Sequence, residues 1–322
     1  MRMKLLVATI AVAALLSASF LWRRQQYAIE THKVTEGVYL FVGTGMNATA
    51  VVTDDGVILV DTMMNGWWGP ALEKAIGAVT DKRVTTIINT NSHPSHSANN
   101  FRFAKDGVVV IAHEQTLSRL KHRANFQGAN ARYLPQTTFR DRLSLTRGKE
   151  RIELYNFGAA NTDGDTWVVF PSRRVLHVGD IVKKDEMPEI VLDSGGSGLA
   201  YSQTMARGIA TIKDVDLIIT GHARAGRTRP TITWSELEAY QRETGMLVGA
   251  VRTAMKSATG AEAVASLVCA DAQFRDHQPD DVRAAVRVIH AELIAGAGSN
   301  APGGASVAAA PLLGLSAPGA AR

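Results

Sequence analysis

The sequence predicts a layered α/β fold made of two similar halves, followed by a helical extension. Three observations carry this. Short apolar strands alternate with helical segments across residues 36–224. The stretches TAVVTDDGVILVD (49–61) and TWVVFPSRRVLHVGD (166–180) share one layout: Thr, apolar strand, polar turn, apolar strand, then Asp. Polar residues gather at strand ends, at Asp61, Asn89-Thr90, Asp180 and Gly221-His222. Hairpins are common, so the repeated layout can arise by chance, but it is also what an internally duplicated sandwich shows.

Met1–Lys4 is a short basic region, and Leu5–Trp22 is apolar apart from Thr9, Ser17 and Ser19. This is a secretory signal, or a signal anchor just long enough to span a bilayer. Ser17-Ala18-Ser19 offers a cleavage site, whereas Phe20-Leu21-Trp22 continue the run and Arg23-Arg24 follow it, so cleaved signal and retained anchor both stand. A buried helix is disfavoured, because the run is apolar all round and basic at both ends. The rest of the chain is expected outside the cytoplasm, periplasmic or membrane-anchored.

Val38–Val42 reads as a strand, 43–45 as a turn, and 49–61 as a hairpin about Asp54-Asp55-Gly56. A helix is expected over 70–79, strands over 84–90 and 108–112, and a helix over 114–124. The second half gives the hairpin 166–180, a helix over 202–212 and a strand over 217–220. Thr233-x-x-Glu236 is a capping box, with Leu237, Tyr240, Leu247, Val251 and Met255 at helical spacing. Pro279 suits the first turn of a last helix carrying Val282, Val286, Ile289 and Leu293. From about residue 296 the chain is Ala/Gly/Pro/Ser-rich without periodicity and reads as a disordered tail. The expected division is 1–26 signal or anchor, 30–228 main domain, 229–295 helical extension and 296–322 tail.

At 322 residues, 46% hydrophobic and 20% charged, the chain can bury a sizeable core. Four of its basic residues flank the apolar run, and without them the formal charge of +5 is near neutral. No concentrated basic patch is evident, so no nucleic-acid partner is expected. Cys269 is the single cysteine, which excludes an intrachain disulfide and a cysteine-rich zinc site.

The chemistry centres on IINTNSHPSHSANN (87–100), a buried strand running into a loop with His93 and His96 three apart. Far along the chain, Asp180 ends one apolar strand and His222 follows another. A strand-end Asp is often only a turn residue, and Asp61 carries the same ambiguity. His177, inside a strand, reads as structural. His32, His113, His122, His277 and His290 have no partner pattern.

Five landmarks occur in order: GVILVDT (56–62), NTNSHPSHSANN (89–100), NTDGDT (161–166), HVGD (177–180) and TGH (220–222). Together they resemble the metallo-β-lactamase superfamily. That resemblance implies a four-layer αβ/βα sandwich of two similar halves, with metals at one edge where both halves contribute loops. Its central motif, His-x-His-x-Asp-His, here reads Asn91-Ser92-His93-Pro94-Ser95-His96. By that correspondence the first metal site holds Asn91, His93 and Asn161, one imidazole with two amides. An amide oxygen suits hard cations better than zinc, so the first site is expected to be lost.

The second site holds Ser95, His96, Asp180 and His222. Two histidines and a carboxylate with an open position are an accepted zinc set, and also suit Fe(II). The expected cofactor is therefore one divalent ion, zinc first, with iron or manganese as alternatives, or none. The motif aspartate handles a proton in the family, and Ser95 cannot do so well at neutral pH. His93 is the candidate general base, alongside Asp180 as catalytic and metal-binding carboxylate, and His93 also remains a candidate ligand. The resemblance makes Asp61 a carboxylate that steadies the ligands. Trp67-Trp68 is a candidate substrate-groove lining, and DSGGSG (193–198) a loop facing the same edge.

Two functions follow at nearly equal weight. One is an exported single-metal hydrolase acting on an ester, thioester, lactone or amide. The other is an inactive binding or accessory protein that keeps a small-molecule ligand or partner in the former cleft. A nuclease is the weaker third. Oligomeric state is left undecided.

Overall fold

The computed structural model describes residues 27–64, 66–183, 185–222 and 231–299. The N-terminal apolar run and the tail from residue 300 lie outside them. Two mixed sheets stack face to face with helices on their outer sides.

The first sheet has seven strands in chain order, β1 (Glu30–Thr35), β2 (Val38–Val42), β3 (Asn47–Thr53), β4 (Gly56–Val60), β5 (Val84–Asn89), β6 (Val109–His113) and β7 (Thr137–Phe139). β1 to β4 pair antiparallel, and β4 to β7 pair parallel. The second sheet joins β8 (Arg142–Arg147), β9 (Glu150–Tyr155), β10 (Trp167–Phe170), β11 (Val175–His177), β12 (Leu217–Ile219) and β13 (Thr231–Ile232) in the order β13-β12-β11-β10-β9-β8. Only β11 and β12 are parallel in it.

Strand periodicity explains the layering. β4 is buried along its whole length, which requires cover on both faces. Ile58 and Val60 point into the space between the sheets, against Ile152, Val168, Phe170 and Ile219. Val57 and Leu59 point the other way, against Leu72 and Ile76 of helix α1 (Trp68–Gly77). Each such side chain, fully buried, contributes roughly 1.5–3 kcal/mol. Two short helices, α2 (Pro94–Ser97) and α3 (Asn100–Phe103), follow β5, and α4 (Glu114–Leu120) follows β6.

Behind the second sheet pack α5 (Gly198–Thr211), α6 (Trp234–Ala254), α7 (Ala261–Ala270) and α8 (Pro279–Ser299), through Tyr201, Met205, Leu237, Leu247, Val264, Val286 and Ile289. Thr233 caps α6 with the expected box: its hydroxyl accepts from Glu236 N, and the Glu236 carboxylate accepts from Thr233 N.

The structure departs from the sequence reading at a few places. α8 continues to Ser299, past the expected start of the tail, while its apolar face up to Leu293 packs in the core with α6 and α7. The expected helix over 114–124 stops at Leu120 and gives way to a short 3-10 turn at Ala124–Phe126. The β8–β9 hairpin and α7 had not been anticipated. The hairpin's signal was present: Leu143 and Leu145 alternate with exposed Arg142, Ser144 and Thr146, and Gly148 takes the left-handed conformation of its two-residue turn.

Candidate metal centre

The C-terminal ends of β4, β5, β11 and β12 meet at one edge of the sandwich, the usual place for ligands in α/β sheets. Two ties close this edge. Asn47 on β3 donates from its backbone to Gly221 O (2.9 Å) and from Nδ2 to Thr220 O (2.7 Å). Thr166 N donates to Thr90 O at 2.9 Å.

β4 delivers Asp61, which takes a left-handed backbone conformation with φ +61°. That conformation is uncommon for a residue with a Cβ, and its persistence implies strong local ties. Asp61 N donates to Ile88 O at 2.9 Å, and its carboxylate accepts from Thr90 N (2.8 Å) and Thr90 Oγ1 (2.7 Å). Its Oδ2 also faces His96 Nδ1 at 2.7 Å.

β5 delivers the histidine loop, latched by asparagines. Asn89 and Asn100 exchange side-chain hydrogen bonds of 3.1 and 2.7 Å, and Asn89 Nδ2 also donates to His96 O at 2.9 Å. Asn99 Nδ2 donates to Thr62 O at 3.0 Å, holding the turn after Asp61. All three asparagines are fully buried. The sequence reading assigns neither these asparagines nor Thr90 a part in holding the site. The recurring Asn in NTNSHPSHSANN was the available signal, since a buried amide needs partners.

β11 runs into a 3-10 turn at Gly179–Ile181 that presents Asp180, and β12 ends at Gly221-His222. The turn is held from behind by Tyr201, whose buried hydroxyl donates to Ile181 O at 3.0 Å. Gly221 is there for space: a Cβ on it would lie 2.5 Å from Asp180 Oδ1 and 3.0 Å from His96 Cε1.

These elements bring His96, Asp180 and His222 together, with one ligand atom from each lying within 4.8 Å of the others. Among the described residues this is the one such group of His, Cys, Asp or Glu. His96 Nε2 is 2.9 Å from Asp180 Oδ2, and His222 Nδ1 is 2.5 Å from Asp180 Oδ1. The donor set fits a divalent ion. Two imidazoles and one carboxylate are a donor set that would hold zinc and leave a position open. Asp61 on the far nitrogen of His96 is the carboxylate–histidine support such ligands use.

The remaining predicted residues lie around this group. His93 Nδ1 is 3.7 Å from Asp180 Oδ2, too far for a hydrogen bond, and its Nε2 is buried without a hydrogen-bond partner. Asn91 Nδ2 donates to Asp180 Oδ2 at 3.2 Å, and its Oδ1 accepts from His93 N at 2.8 Å. Asn161 is buried and turned to the backbone, with Nδ2 donating to Glu189 O at 2.9 Å. Ser95 is half-buried on α2. Trp68 buries into the core beneath α1, whereas Trp67 is 53% exposed. His177 is fully buried, with Nδ1 accepting from Gly179 N at 3.1 Å.

The charges are strongly coupled. Burial alone would lower the pKa of His96, but the carboxylates of Asp180 and Asp61 on either side hold it well above the usual 6.5. Burial alone would raise that of Asp180, but His96 and His222 hold it well below 3.8. Burial pushes His177 down to about 4 and keeps it neutral. Burial pushes Asp165, bonded to Thr162, up to about 7.

Residues 43–222 match the family model described as the metallo-beta-lactamase superfamily. Among curated proteins, the chain is 27% identical over 194 residues to 2,4-dinitroanisole O-demethylase subunit alpha of Nocardioides sp. (strain JS1661), covering 59% of this chain and 54% of that subunit. The chain thus spans about half the length of that relative. It is 25% identical over 213 residues to metallo-beta-lactamase type 2 of Elizabethkingia meningoseptica, covering 60% of this chain and 78% of that protein.

Two solved structures share the fold. A metallo-beta-lactamase from Pontibacter korlensis superposes with a TM-score of 0.57 at 17% identity, over 66% of this chain and 99% of that one. A double mutant of the sec-alkyl sulfatase PisA1 superposes with a TM-score of 0.65 at 13% identity, over 83% and 50%. The matched model, the stacked sheets and the ligand-bearing strand ends agree: this chain belongs to the metallo-β-lactamase superfamily, with a reduced His96–Asp180–His222 metal-binding triad.

Proposed function

We propose that the protein is an exported hydrolase of a small ester, thioester, lactone or amide, working with one divalent ion, zinc by preference, at His96, Asp180 and His222. The observation that carries this reading is the convergence of those three side chains, backed by Asp61, at the edge where both sheets end. An ion held there supplies Lewis acidity toward a substrate carbonyl and toward water.

The chain's own residues do the rest. Asp61 orients His96 and keeps a proton on its Nδ1, leaving Nε2 to face the ligand position. His93, beside Asp180 but outside its hydrogen-bond range, is the group placed to take and return a proton. Asn91, bonded to both Asp180 and His93, fixes their spacing where the family motif has a histidine. The relatives' names cover a β-lactam, an aryl methyl ether and an alkyl sulfate, so they support a hydrolase-like site without selecting a substrate.

Elemental analysis of the native protein beside Asp180→Ala, followed by a panel of ester, thioester, lactone and amide substrates, tests this reading. One equivalent of metal and turnover in the wild type alone are expected. A wild type that neither carries nor accepts zinc, iron or manganese overturns it.

One observation favours a second reading, a metal-free ligand-binding protein. Asp180 is already satisfied by His96, His222 and Asn91. On that reading, the restored variant Asn91→His/Ser95→Asp/Asn161→His gains metal and turnover that the wild type lacks. Equal turnover in both excludes it.

A further inference from the structure

We propose that the groove between β1 and α1 docks on a phospholipid bilayer, seating the domain on the interfacial zone of the membrane entered by the apolar run Leu5–Trp22. The proposal rests on the retained-anchor reading of that run and is independent of any hydrolytic activity.

The groove has a volume of about 690 Å³ and is lined by Tyr27, Ile29, Trp67, Ala71, Lys74 and Ala78, among others. Trp67 is 53% exposed, an unusual position for the largest apolar side chain on a surface also lined by alanines. Its floor is firm: Tyr27 meets buried Trp68 edge-on at 5.0 Å, and Leu72 and Ile76 tie α1 to the first sheet. Lys74 is the single charged side chain among the lining residues. Tyr27, Ala28, Ile29 and Thr31 line one side of the groove, and Glu30 does not.

A tryptophan and a tyrosine beside an alkyl floor, with one lysine, match the composition of side chains that settle at the headgroup level. Lys74 can meet a lipid phosphate while its stem lies on the alanines.

The chain itself argues for the bilayer as occupant. The apolar run ends at Trp22, and Tyr27 already lies in the groove. Only residues 23–26 intervene, so with about 3.3–3.6 Å per residue the groove lies within roughly 18 Å of the end of the run. No helix among the described residues is long and apolar enough to cross a membrane. On the retained-anchor reading the groove contributes surface contact.

The test uses the full chain, Cys269→Ser, reconstituted in vesicles of phosphatidylcholine and phosphatidylglycerol. A bimane label at Ala78→Cys reads the groove, and one at Ser257→Cys, exposed after α6, is the control. The expected result is a blue shift at position 78 only, with quenching by lipids that carry a nitroxide near the headgroup. Trp67→Glu/Lys74→Glu should abolish both signals while the melting temperature stays unchanged. A groove label that stays water-exposed on vesicles overturns the proposal. So does an equal blue shift without lipid, which assigns the groove to a chain segment or a second copy. Recovery of the protein in the vesicle-free supernatant overturns it as well.

Discussion

His96 Nε2 and Asp180 Oδ2 face each other at 2.9 Å, both buried, eighty-four residues apart in the chain. With Asp61 on its other nitrogen, His96 keeps both ring protons when no ion is present, and the Nε2 proton occupies the ligand position. Metal and proton therefore compete for one nitrogen.

Zinc uptake should release about one proton at neutral pH, seen as a buffer-dependent enthalpy in calorimetry. Affinity should rise with pH above 6.5, since His96 titrates well above that value. The metal-free protein should show the opposite slope. A raised His pKa contributes stability that is full below 6.5 and is lost as pH rises through the folded-state value. Zinc binding without proton release would show that His96 is not the ligand.

Asp61→Asn separates the carboxylate's charge from its backbone role, because Asn tolerates the left-handed conformation held at φ +61°. The fold should persist, while zinc affinity falls by roughly 10- to 100-fold through the loss of support on His96 Nδ1. Competition with a chromophoric chelator measures it. An unchanged affinity would reduce Asp61 to a turn residue.

Gly221→Ala places a Cβ 2.5 Å from Asp180 Oδ1 and 2.8 Å from Gly179 C. Overpacking of this kind costs about 1–3 kcal/mol. Denaturant melts should show that loss, together with loss of metal binding. Gly249→Ala, inside α6 where a Cβ meets nothing within 4 Å, is the control: it should keep metal binding and raise stability by roughly 0.5–1 kcal/mol.

Asp165, pushed up to about 7 by burial, should make stability pH-dependent. Its contribution is full below 3.8, where both states hold the proton, and is lost as pH rises through about 7. Asp165→Asn should flatten that part of the melting profile, at a cost of roughly 1 kcal/mol for weakened bonding to Thr162. His177, held down at about 4, contributes the reverse slope equally in both proteins, so the difference between profiles isolates Asp165. Parallel profiles would mean that Asp165 is ionised in the fold.

The amino-acid sequence by itself determined the layers and most of the ligand identities. The unbroken apolar run of β4 and the capping box of α6 are local patterns, legible wherever the chain writes a short continuous apolar run or a Thr-x-x-Glu box. The landmarks carrying Asp61, Asp180 and His222 marked where β4, β11 and β12 leave their sheets, because a polar residue following an apolar strand suits the end of that strand.

The family resemblance groups His96, Asp180 and His222; only the tertiary structure decided how they and their neighbours are spaced. It joined His96, Asp180 and His222, left His93 at 3.7 Å from Asp180, and turned Asn161 to the backbone of Glu189. It also showed the supports that spacing could not: Thr90 beneath Asp61, the Asn89–Asn100 latch, and the room made by Gly221. These depend on how two sheets, folded from distant segments, stack at one edge. A distance across that edge is set by packing, which the order of residues along the chain does not encode locally.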